Sequence, residues 1–477
     1  MLGAHVSARD YAGFGSGGYG DGFGTSTPDQ LAQLQKALAA GSDVNNPGTS
    51  AGEGFPLRTE SLESTLKNLT YEMDEIKLFK TIPKVPASNT VEEFNRLTSY
   101  GRGGTRRFNL GFMTEGDLPE EEDSTYQRVT VLIKYLGITG RVTHVMNTVR
   151  AAHGNVIAQE TMNRTMELLK NLENALFFGD SSLIPEQFDG LEKSITDGAP
   201  TNVVDLRGGP LTEERLNDMM LMIRQNFGVG TDAYFATGAF ADLAKQVYDR
   251  QRFAIAPQPG VLGAQVTAFQ GQNGKVNLHD HVFIQDGPTA LAAGLGSTSK
   301  RPLAAAITVP PAAGGAGSSF GAADAGTYIY KVVAGNRFGL SLPVTSASVA
   351  VLAGQQVTFT VADGGQGTTF YEIYRSTLGG AAATCALMTR VARSGVTQVI
   401  TDTNADIPGT SKGFVLQQNQ ASFSWAQLLP MTRIPLAAVD TSIRWAQVIY
   451  GCIKMYTPQK NIVVKNVGRA PGSLGSA

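Results

Sequence analysis

The longest uninterrupted periodic segment of the sequence runs from Asn155 to Phe178, and it limits the fold most strongly. It contains no proline or glycine. Its apolar side chains recur at steps of three and four residues, at Met162, Met166, Leu169, Leu172 and Leu176. That spacing places them on one face of an α-helix, for which Asn155 is a good N-cap. At 1.5 Å per residue the helix is roughly 35 Å long, and we expect Gly179 to end it in the left-handed conformation.

A pair of long β segments precedes this helix. The first is "GRGGTRRFNLGFM" at Gly101–Met113, and the second covers Ser124–Met146. In the second, Val129, Val131, Ile133 and Tyr135 are predicted to share one face, because side chains alternate along a strand. The connection "TEGDLPEEED" is a charged tip. We therefore predict a long hairpin that projects from the body, and we expect another subunit to cover its unpaired edges.

The N-terminal 55 residues are rich in Gly, Ser, Thr and Pro and cannot form a core alone. Within them, Pro28–Gly41 has helical spacing at Leu31, Leu34 and Leu38, with Gly41 as the C-cap. We interpret this region as an arm that becomes ordered on a neighbour. A disordered tail is the alternative.

The composition changes near residue 303, where a linker of small residues begins. Six short β segments follow at a spacing of about ten residues, which is typical of a β-sandwich. After residue 417 the earlier pattern returns with "FSWAQLLPMTRIPLAAVDTSIRWAQVIY". The sequence therefore predicts an α+β protein that is interrupted by an all-β insertion at 303–417.

Overall composition argues against several classes of function. The net charge of -2 argues against a dedicated nucleic-acid binder, although a neutral container for nucleic acid remains compatible with it. The two cysteines, Cys385 and Cys452, lack metal-ligand spacing, so we interpret both as small buried residues in a reducing compartment. The sequence has no signal peptide and no run of 18 apolar residues, so we expect no membrane span.

No motif defines a catalytic, cofactor or metal site. "GFGSGG" at Gly13–Gly18 matches GxGxxG, but it lacks the preceding strand and following helix of a dinucleotide site. His279 and His281 flank Asp280 in a predicted strand. Two histidines are too few for a structural zinc site, so we interpret them as an exposed strand end. The five histidines form no Ser/His/Asp or Cys/His set, and we predict that the protein is not an enzyme.

The order of these elements resembles the major capsid proteins of contractile-tailed bacteriophages, which have the Hong Kong 97-type fold. The resemblance is carried by the hairpin, the long helix ending in "ALFFGD", the following "FDGL", the segment "LTEERLNDMMLMIRQNFGVGTDAYFATGAFADL" and the C-terminal segment "LLPMTRIPLAAVDTSIRWAQVIYGCIKMYTPQKNIVVKNV" that begins at Leu428. It covers most of 75–300 and 418–468. "TYIYKVVAGNRFGLSLPV" is similar to fibronectin type III and bacterial immunoglobulin-like modules, and some relatives carry such an insertion on the outer capsid surface.

The resemblance implies seven parts of the chain. They are an N-terminal arm (1–74), an extended loop with flanking peripheral strands (75–145), a peripheral domain with the spine helix (146–229), the first part of an axial domain (230–302), an immunoglobulin-like insertion (303–417), the axial return (418–439), and the peripheral C-terminal strands and tail (440–477).

The resemblance also implies a structural protein of the virion that assembles in the host cytoplasm. Copies of the chain would form hexamers and pentamers of an icosahedral head around double-stranded DNA. Other expected partners are a portal protein at one vertex, a cement or decoration protein, and the DNA through non-specific contacts. Our hypothesis for the assembly interface is a set of hairpin charges: Arg102, Arg106, Arg107, Glu120, Glu121, Glu122 and Asp123. They would set the register between neighbours, and a solvated face is the alternative.

Two other functions compete with this one. An encapsulin-type nanocompartment shell shares the fold but is shorter and lacks the insertion. A carbohydrate-binding sandwich would need exposed aromatic rings, for which Tyr328 and Tyr371 are the candidates. Some family members crosslink a hairpin lysine to a neighbour's asparagine, but Lys134 has no recognisable partner, so we expect no crosslink. Because the sequence begins at Met1, we also expect no removal of a long N-terminal segment.

Overall fold

The computed structural model describes residues 73–101, 112–118, 121, 123–149, 154–251, 266–365 and 367–473. All the elements named below belong to one compact unit. The predicted helix at Pro28–Gly41 and the glycine motif at Gly13–Gly18 lie outside the described residues. The α-helices are α1 (Leu78–Thr81), α2 (His144–Thr148), α3 (Val156–Phe178), α4 (Leu191–Gly198), α5 (Glu213–Gln225) and α6 (Thr237–Gln251).

The strands of the described residues are numbered in chain order. They are β1 (Lys84–Pro86), β2 (Val91–Ser99), β3 (Thr125–Leu132), β4 (Lys134–Thr143), β5 (Val203–Asp205), β6 (Asp232–Phe235), β7 (Ala268–Gly271), β8 (Gly274–Asp280), β9 (Ala306–Thr308), β10 (Ala313–Gly314), β11 (Gly326–Tyr328), β12 (Tyr330–Asn336), β13 (Gly339–Leu340), β14 (Val344–Thr345), β15 (Val349–Val351), β16 (Gln355–Ala362), β17 (Phe370–Arg375), β18 (Ala386–Ala392), β19 (Thr397–Asp402), β20 (Ser411–Leu416), β21 (Phe423–Pro435), β22 (Ser442–Met455) and β23 (Ile462–Val467).

Two sheets build the α+β body. The first has the order β1-β21-β22-β4, and the second has the order β5-β23-β20-β6-β8-β7. The first sheet has one parallel pair, β1–β21, and its other pairs are antiparallel. The second sheet has two parallel pairs, β23–β5 and β6–β8. Helix α3 shares one core with both sheets, because Leu172 and Leu176 pack in a cluster that includes Trp425, Ile449 and Phe414.

Helix α3 confirms the predicted rod. The Oδ1 atom of Asn155 accepts hydrogen bonds from the backbone N–H groups of Ile157 at 3.0 Å and Ala158 at 3.3 Å, as an N-cap should. The helix then runs unbroken to Phe178. Only the C-terminal part of the apolar stripe is covered by the subunit, because Leu172 is fully buried whereas Met162 is 60% exposed.

The end of α3 differs from the prediction in its cause. Gly179 has φ -58° and ψ 137°, so it is not in the left-handed conformation. A Cβ atom there would lie 2.5 Å from the carbonyl oxygen of Phe188 and 2.6 Å from that of Ala175. Gly190 donates from its N–H to the Gly179 carbonyl at 2.8 Å. The glycine is therefore required by a close approach of two backbone segments, and "FDGL" is the returning segment.

The two adjacent phenylalanines at the end of α3 both serve this junction. The ring of Phe177 packs 5.1 Å from the ring of Phe414, and the ring of Phe178 packs 5.8 Å from it, measured between centroids. Phe177 is fully buried and also meets Tyr234 edge-on at 5.7 Å. The helix end is thereby fixed against β20 and β6 of the six-stranded sheet.

The hairpin differs from the prediction in register and extent. The strand that pairs with β3 is β2, Val91–Ser99, and most of the predicted first strand at 101–113 lies outside the described residues. The predicted second strand divides at Ile133, where the inward side changes from odd to even positions. Val129, Val131 and Ile133 point inward as predicted, but Tyr135 is 58% exposed, so its predicted face is wrong. Strand β4 pairs with β22 in the body. Of the predicted second strand, β3 alone belongs to a separate two-stranded ribbon, which it forms with β2.

The six β segments predicted within 303–417 all contain strands, and they form a sandwich. Strand β12 pairs with β13, β14 and β17, while β16 pairs with β9, β10 and β19 in the facing sheet. Tyr330, Val332 and Ala334 of β12 share one core with Phe359 and Ile373. The last strand of this span, β20, instead pairs with β23 and β6 of the body, so the strands of the sandwich end at Asp402.

Candidate functional site

The charges assigned to an assembly interface fall mainly outside the described residues. This applies to Arg102, Arg106, Arg107, Glu120 and Glu122. Glu121 and Asp123 are described, and both are exposed shortly before β3 begins. Pairing of the arginines with the acidic tip therefore stays a prediction.

The inner face of the β2–β3 ribbon fixes it to the body. Glu92 and Lys454 form an ion pair in which both side chains are largely buried. The hydrogen bond from the Lys454 ammonium holds the pKa of Glu92 below its usual range. Arg96 donates to the Met455 carbonyl at 2.8 Å, and Phe94 meets the Tyr456 ring edge-on at 4.8 Å. Three alternate residues of β2 thus contact the end of β22 and the residue that follows it.

The outer face of the ribbon carries apolar side chains that the described part of the subunit leaves exposed. Val91 lies opposite Leu132 at one end, and Leu97 lies opposite Tyr126 at the other. Tyr126 is 69% exposed. Between these pairs, Glu93 and Arg128 form an exposed ion pair. We call these four apolar residues the outer ribbon face.

Further exposed apolar side chains lie near the tip of the hairpin. Tyr100, Phe112, Met113 and Leu118 are all exposed, and Leu118 reaches 90%. Scattered apolar residues on a surface are ordinary, but several exposed ones on one ribbon and its connection are typical of an interaction surface. The sequence analysis assigned the subunit contact to charged residues and did not identify β2 as a strand of the hairpin, so it missed these apolar residues.

A buried polar cluster joins the start of α1, which precedes the ribbon in the chain, to α3. The Glu173 carboxylate accepts from the backbone N–H groups of Lys77 at 3.0 Å, Leu78 at 2.7 Å and Phe79 at 2.9 Å. The Nε2 atom of His281 lies 2.9 Å from Glu173 Oε1, and both side chains are fully buried. The first N–H groups of a helix have no acceptor within the helix. The Glu173 carboxylate supplies that acceptor at the start of α1.

The "HDH" segment was predicted to be an exposed strand end, and this is wrong for His281, which is buried against Glu173. His279 is partly buried and lies 2.9 Å from Asp232. The two imidazoles thus serve different carboxylates. Within the described ranges, no three His, Cys, Asp or Glu side chains converge closely enough to hold a metal ion. No local sequence signal links Glu173 with His281, since 108 positions separate them.

Other candidate positions are structural in character. Tyr328 and Tyr371, the rings considered for sugar binding, are buried in the sandwich core and offer no free face. Burial raises the pKa of Cys452 to about 12 and also raises that of Cys385. None of the helices in the described part of the chain is both long and apolar enough to cross a membrane.

The chain has relatives among known protein sequences and solved structures. A family model for the SU10 major capsid protein matches residues 41–320, which is more than half of the chain. The major capsid proteins of Staphylococcus phages S25-3 and K are each 29% identical over 431 residues, covering 86% of this chain and 90% of theirs. Among solved structures, the capsid of a native GTA particle aligns with 88% of this chain and 98% of that chain, at 8% identity and a TM-score of 0.46.

The α+β body, the exposed ribbon and the matched family define a structural protein that functions through its contact surfaces. The chain belongs to the SU10 major capsid protein family. It is a virion component that forms a capsid shell, as the expected resemblance to tailed-phage capsid proteins implied, and it is not an enzyme.

Proposed function

We propose that copies of this chain assemble into hexamers and pentamers of an icosahedral phage head that encloses double-stranded DNA. In this proposal the body has the Hong Kong 97-type arrangement of peripheral and axial domains, and the sandwich is an immunoglobulin-like domain on the outer surface. Assembly takes place in the host cytoplasm, with a portal protein at one vertex and a cement or decoration protein as a further partner. The division of the chain into seven parts, from the N-terminal arm to the C-terminal tail, belongs to this proposal.

The observation that carries the proposal is the outer ribbon face. Its apolar pairs lie at both ends of a ribbon that, among the described residues, is anchored to the body from the inner side. Covering such a face removes apolar area from water, at about 25 cal/mol per Å². A fully buried tyrosine or leucine then stabilises a contact by roughly 1.5–3 kcal/mol, and a closed shell repeats that contact in every copy.

The near-neutral net charge of the chain fits a shell around DNA better than a protein that binds DNA tightly. The chain has 39 Lys and Arg residues against 41 Asp and Glu residues. Strong non-specific binding to DNA requires an excess of cations that neutralise phosphates and release counterions. We therefore expect the shell to contact DNA weakly and to assemble in its absence.

The test is expression of the full chain with negative-stain microscopy and size-exclusion chromatography. Leu97→Asp places a charge on the outer ribbon face, and Asn95→Asp places the same charge two residues away on the same side of β2. We expect the wild type and Asn95→Asp to form closed particles, and Leu97→Asp to remain as unassembled subunits with the wild-type thermal unfolding of a folded chain. Wild-type protein that stays monomeric under all conditions would contradict the proposal, and so would normal particles from Leu97→Asp.

A further inference from the structure

The N-terminal half of α3 borders an apolar groove. Its floor is a face of three helical turns that includes Ile157, Ala158, Met162 and Met166, its end wall is Met73, and its side wall is Arg433 of β21. The groove has a volume of about 540 Å³. The Arg433 guanidinium lies 4.8 Å from the centre of the Trp445 ring, so this wall is supported by the body. We call this set of residues the spine groove.

The spine groove continues the apolar stripe of α3 beyond the core. The stripe is predicted by the sequence from Met162 to Leu176, yet the subunit covers it only toward the C-terminal end. Met73 is half exposed and Met162 more than half. Methionine side chains are flexible and polarizable, and they are common in grooves that receive an amphipathic helix. The exposed part of the stripe therefore has the chemistry of a helix-binding surface.

A segment outside the described residues fits this surface. The sequence predicts an amphipathic helix at Pro28–Gly41, with Leu31, Leu34 and Leu38 on one face. At 1.5 Å per residue these leucines span about 10 Å, and the floor from Ile157 to Met166 spans about 13 Å. The two apolar faces therefore match in length and in character.

The spacer between the predicted helix and the spine groove is long enough for a contact between subunits. Residues 42–72 separate Gly41 from Met73, and they contain several Gly, Ser and Asn residues. An extended spacer of this length reaches up to roughly 100 Å, which is far enough to leave the subunit. Filling the groove from another copy would make its burial a consequence of assembly, whereas filling it within one copy would add nothing to the contact between subunits.

We propose that the helix at Pro28–Gly41 of one copy binds in the spine groove of a neighbouring copy through Leu31, Leu34 and Leu38. This inference rests on the proposed assembly into a shell. It goes beyond that proposal, because it assigns the occupant of a particular groove and the residues that enter it.

Disulfide trapping between two chains that each carry one introduced cysteine tests the proposal. One chain carries Leu34→Cys, the other carries Met162→Cys, and the two are mixed before assembly and then oxidised. The native Cys385 and Cys452 are buried, and burial raises the pKa of both thiols, so they compete poorly. A control mixture replaces Leu34→Cys by Gln33→Cys, which lies on the opposite face of the predicted helix.

We expect several-fold more covalent heterodimer from the Leu34→Cys mixture than from the Gln33→Cys mixture. Equal yields from the two mixtures would overturn the proposal. So would a crosslink that forms only within single chains carrying both Leu34→Cys and Met162→Cys. If wild-type chains fail to form particles at all, the proposed shell function fails instead, so the two failures are distinguishable.

A binding measurement covers the case in which a cysteine variant does not assemble. A labelled synthetic peptide of residues 28–41 is titrated into full-length unassembled subunits, with a Leu34→Asp peptide and a Gln33→Asp peptide as a matched pair. We expect binding of the wild-type and Gln33→Asp peptides, and a loss of binding for Leu34→Asp and for Met162→Lys subunits. Absence of wild-type binding, or equal binding of both variant peptides, would overturn the proposal.

Discussion

The two halves of helix α3 share one sequence pattern but not one environment. Toward the C-terminus, Leu172 and Glu173 are fully buried, and the carboxylate of Glu173 is bonded to the start of α1 and to His281. Toward the N-terminus, Met162 continues the stripe into the spine groove and is exposed. The difference shows that an apolar face of a helix predicts a partner without saying whether that partner is the same subunit or another one.

The largest expected effect is at Glu173. Glu173→Ala would leave one buried and two partly buried N–H groups at the start of α1 without an acceptor and would remove the partner of His281. Breaking a buried charged network of this kind costs about 3–5 kcal/mol of unfolding free energy. Urea unfolding of unassembled subunits measures it. Glu167→Ala, which removes the exposed i,i+3 pair with Arg164 on the same helix, is the control and should cost less than about 0.5 kcal/mol. Similar losses for both variants would contradict the contrast between buried and exposed positions.

Truncation of the stripe itself should separate the two halves next. Leu172→Ala creates a cavity in the core and should lower the unfolding free energy of the unassembled subunit by about 2–5 kcal/mol. Met162→Ala removes a side chain that the subunit leaves exposed, so the same measurement should change by less than about 0.5 kcal/mol. The order reverses for assembly, where Met162→Ala should raise the concentration needed for particles. A large destabilisation of the isolated subunit by Met162→Ala would place that residue in the subunit's own core.

The N-cap of α3 gives a smaller effect. Asn155→Ala removes the acceptor for the N–H groups of Ile157 and Ala158 and should cost about 1 kcal/mol. Hydrogen exchange should locate the change in the first turns of α3, with little effect near Leu172. Asn155→Asp keeps the acceptor and should restore protection. Uniform loss of protection along the whole helix would mean that its two halves unfold as one unit.

Sequence patterns predict much of the helical part of the fold and less of the sheets. The bounds of α3 and its Asn155 cap are local features, and local periodicity predicted them. The role of Gly179 was mistaken because the contact that requires glycine comes from Phe188, nine residues on. The change of face at Ile133 depends on pairing with β22, which lies more than 300 residues away.

The site followed the same division. A hairpin in this region could be predicted from alternation and a charged connection, but its apolar outer face needed the register of Leu97 opposite Tyr126. The Glu173–His281 pair has no sequence signature, because the fold alone brings α3 and the end of β8 together. Long-range pairing therefore set the limit of the sequence reasoning in both the fold and the site.

The smallest expected effect concerns pH and compares the two faces of β2. The pKa of Glu92 is lowered in the folded protein by Lys454, so its contribution to stability is present above the unfolded pKa of about 4.3 and is lost as pH falls through the folded pKa. The stability difference between wild type and Glu92→Gln should therefore be largest at neutral pH and shrink in acid. Glu93→Gln on the outer side, where Arg128 is exposed, should give a smaller difference at neutral pH. Urea midpoints across pH measure both, and a Glu92→Gln difference that persists unchanged in acid would contradict the assignment.

The most direct measurement of the central claim is a cryo-electron microscopy structure of the assembled particle. The account predicts that side chains of a neighbouring copy lie within about 4.5 Å of Leu97 and Tyr126 on the outer ribbon face. It would be contradicted if that face were open to solvent in both hexamers and pentamers.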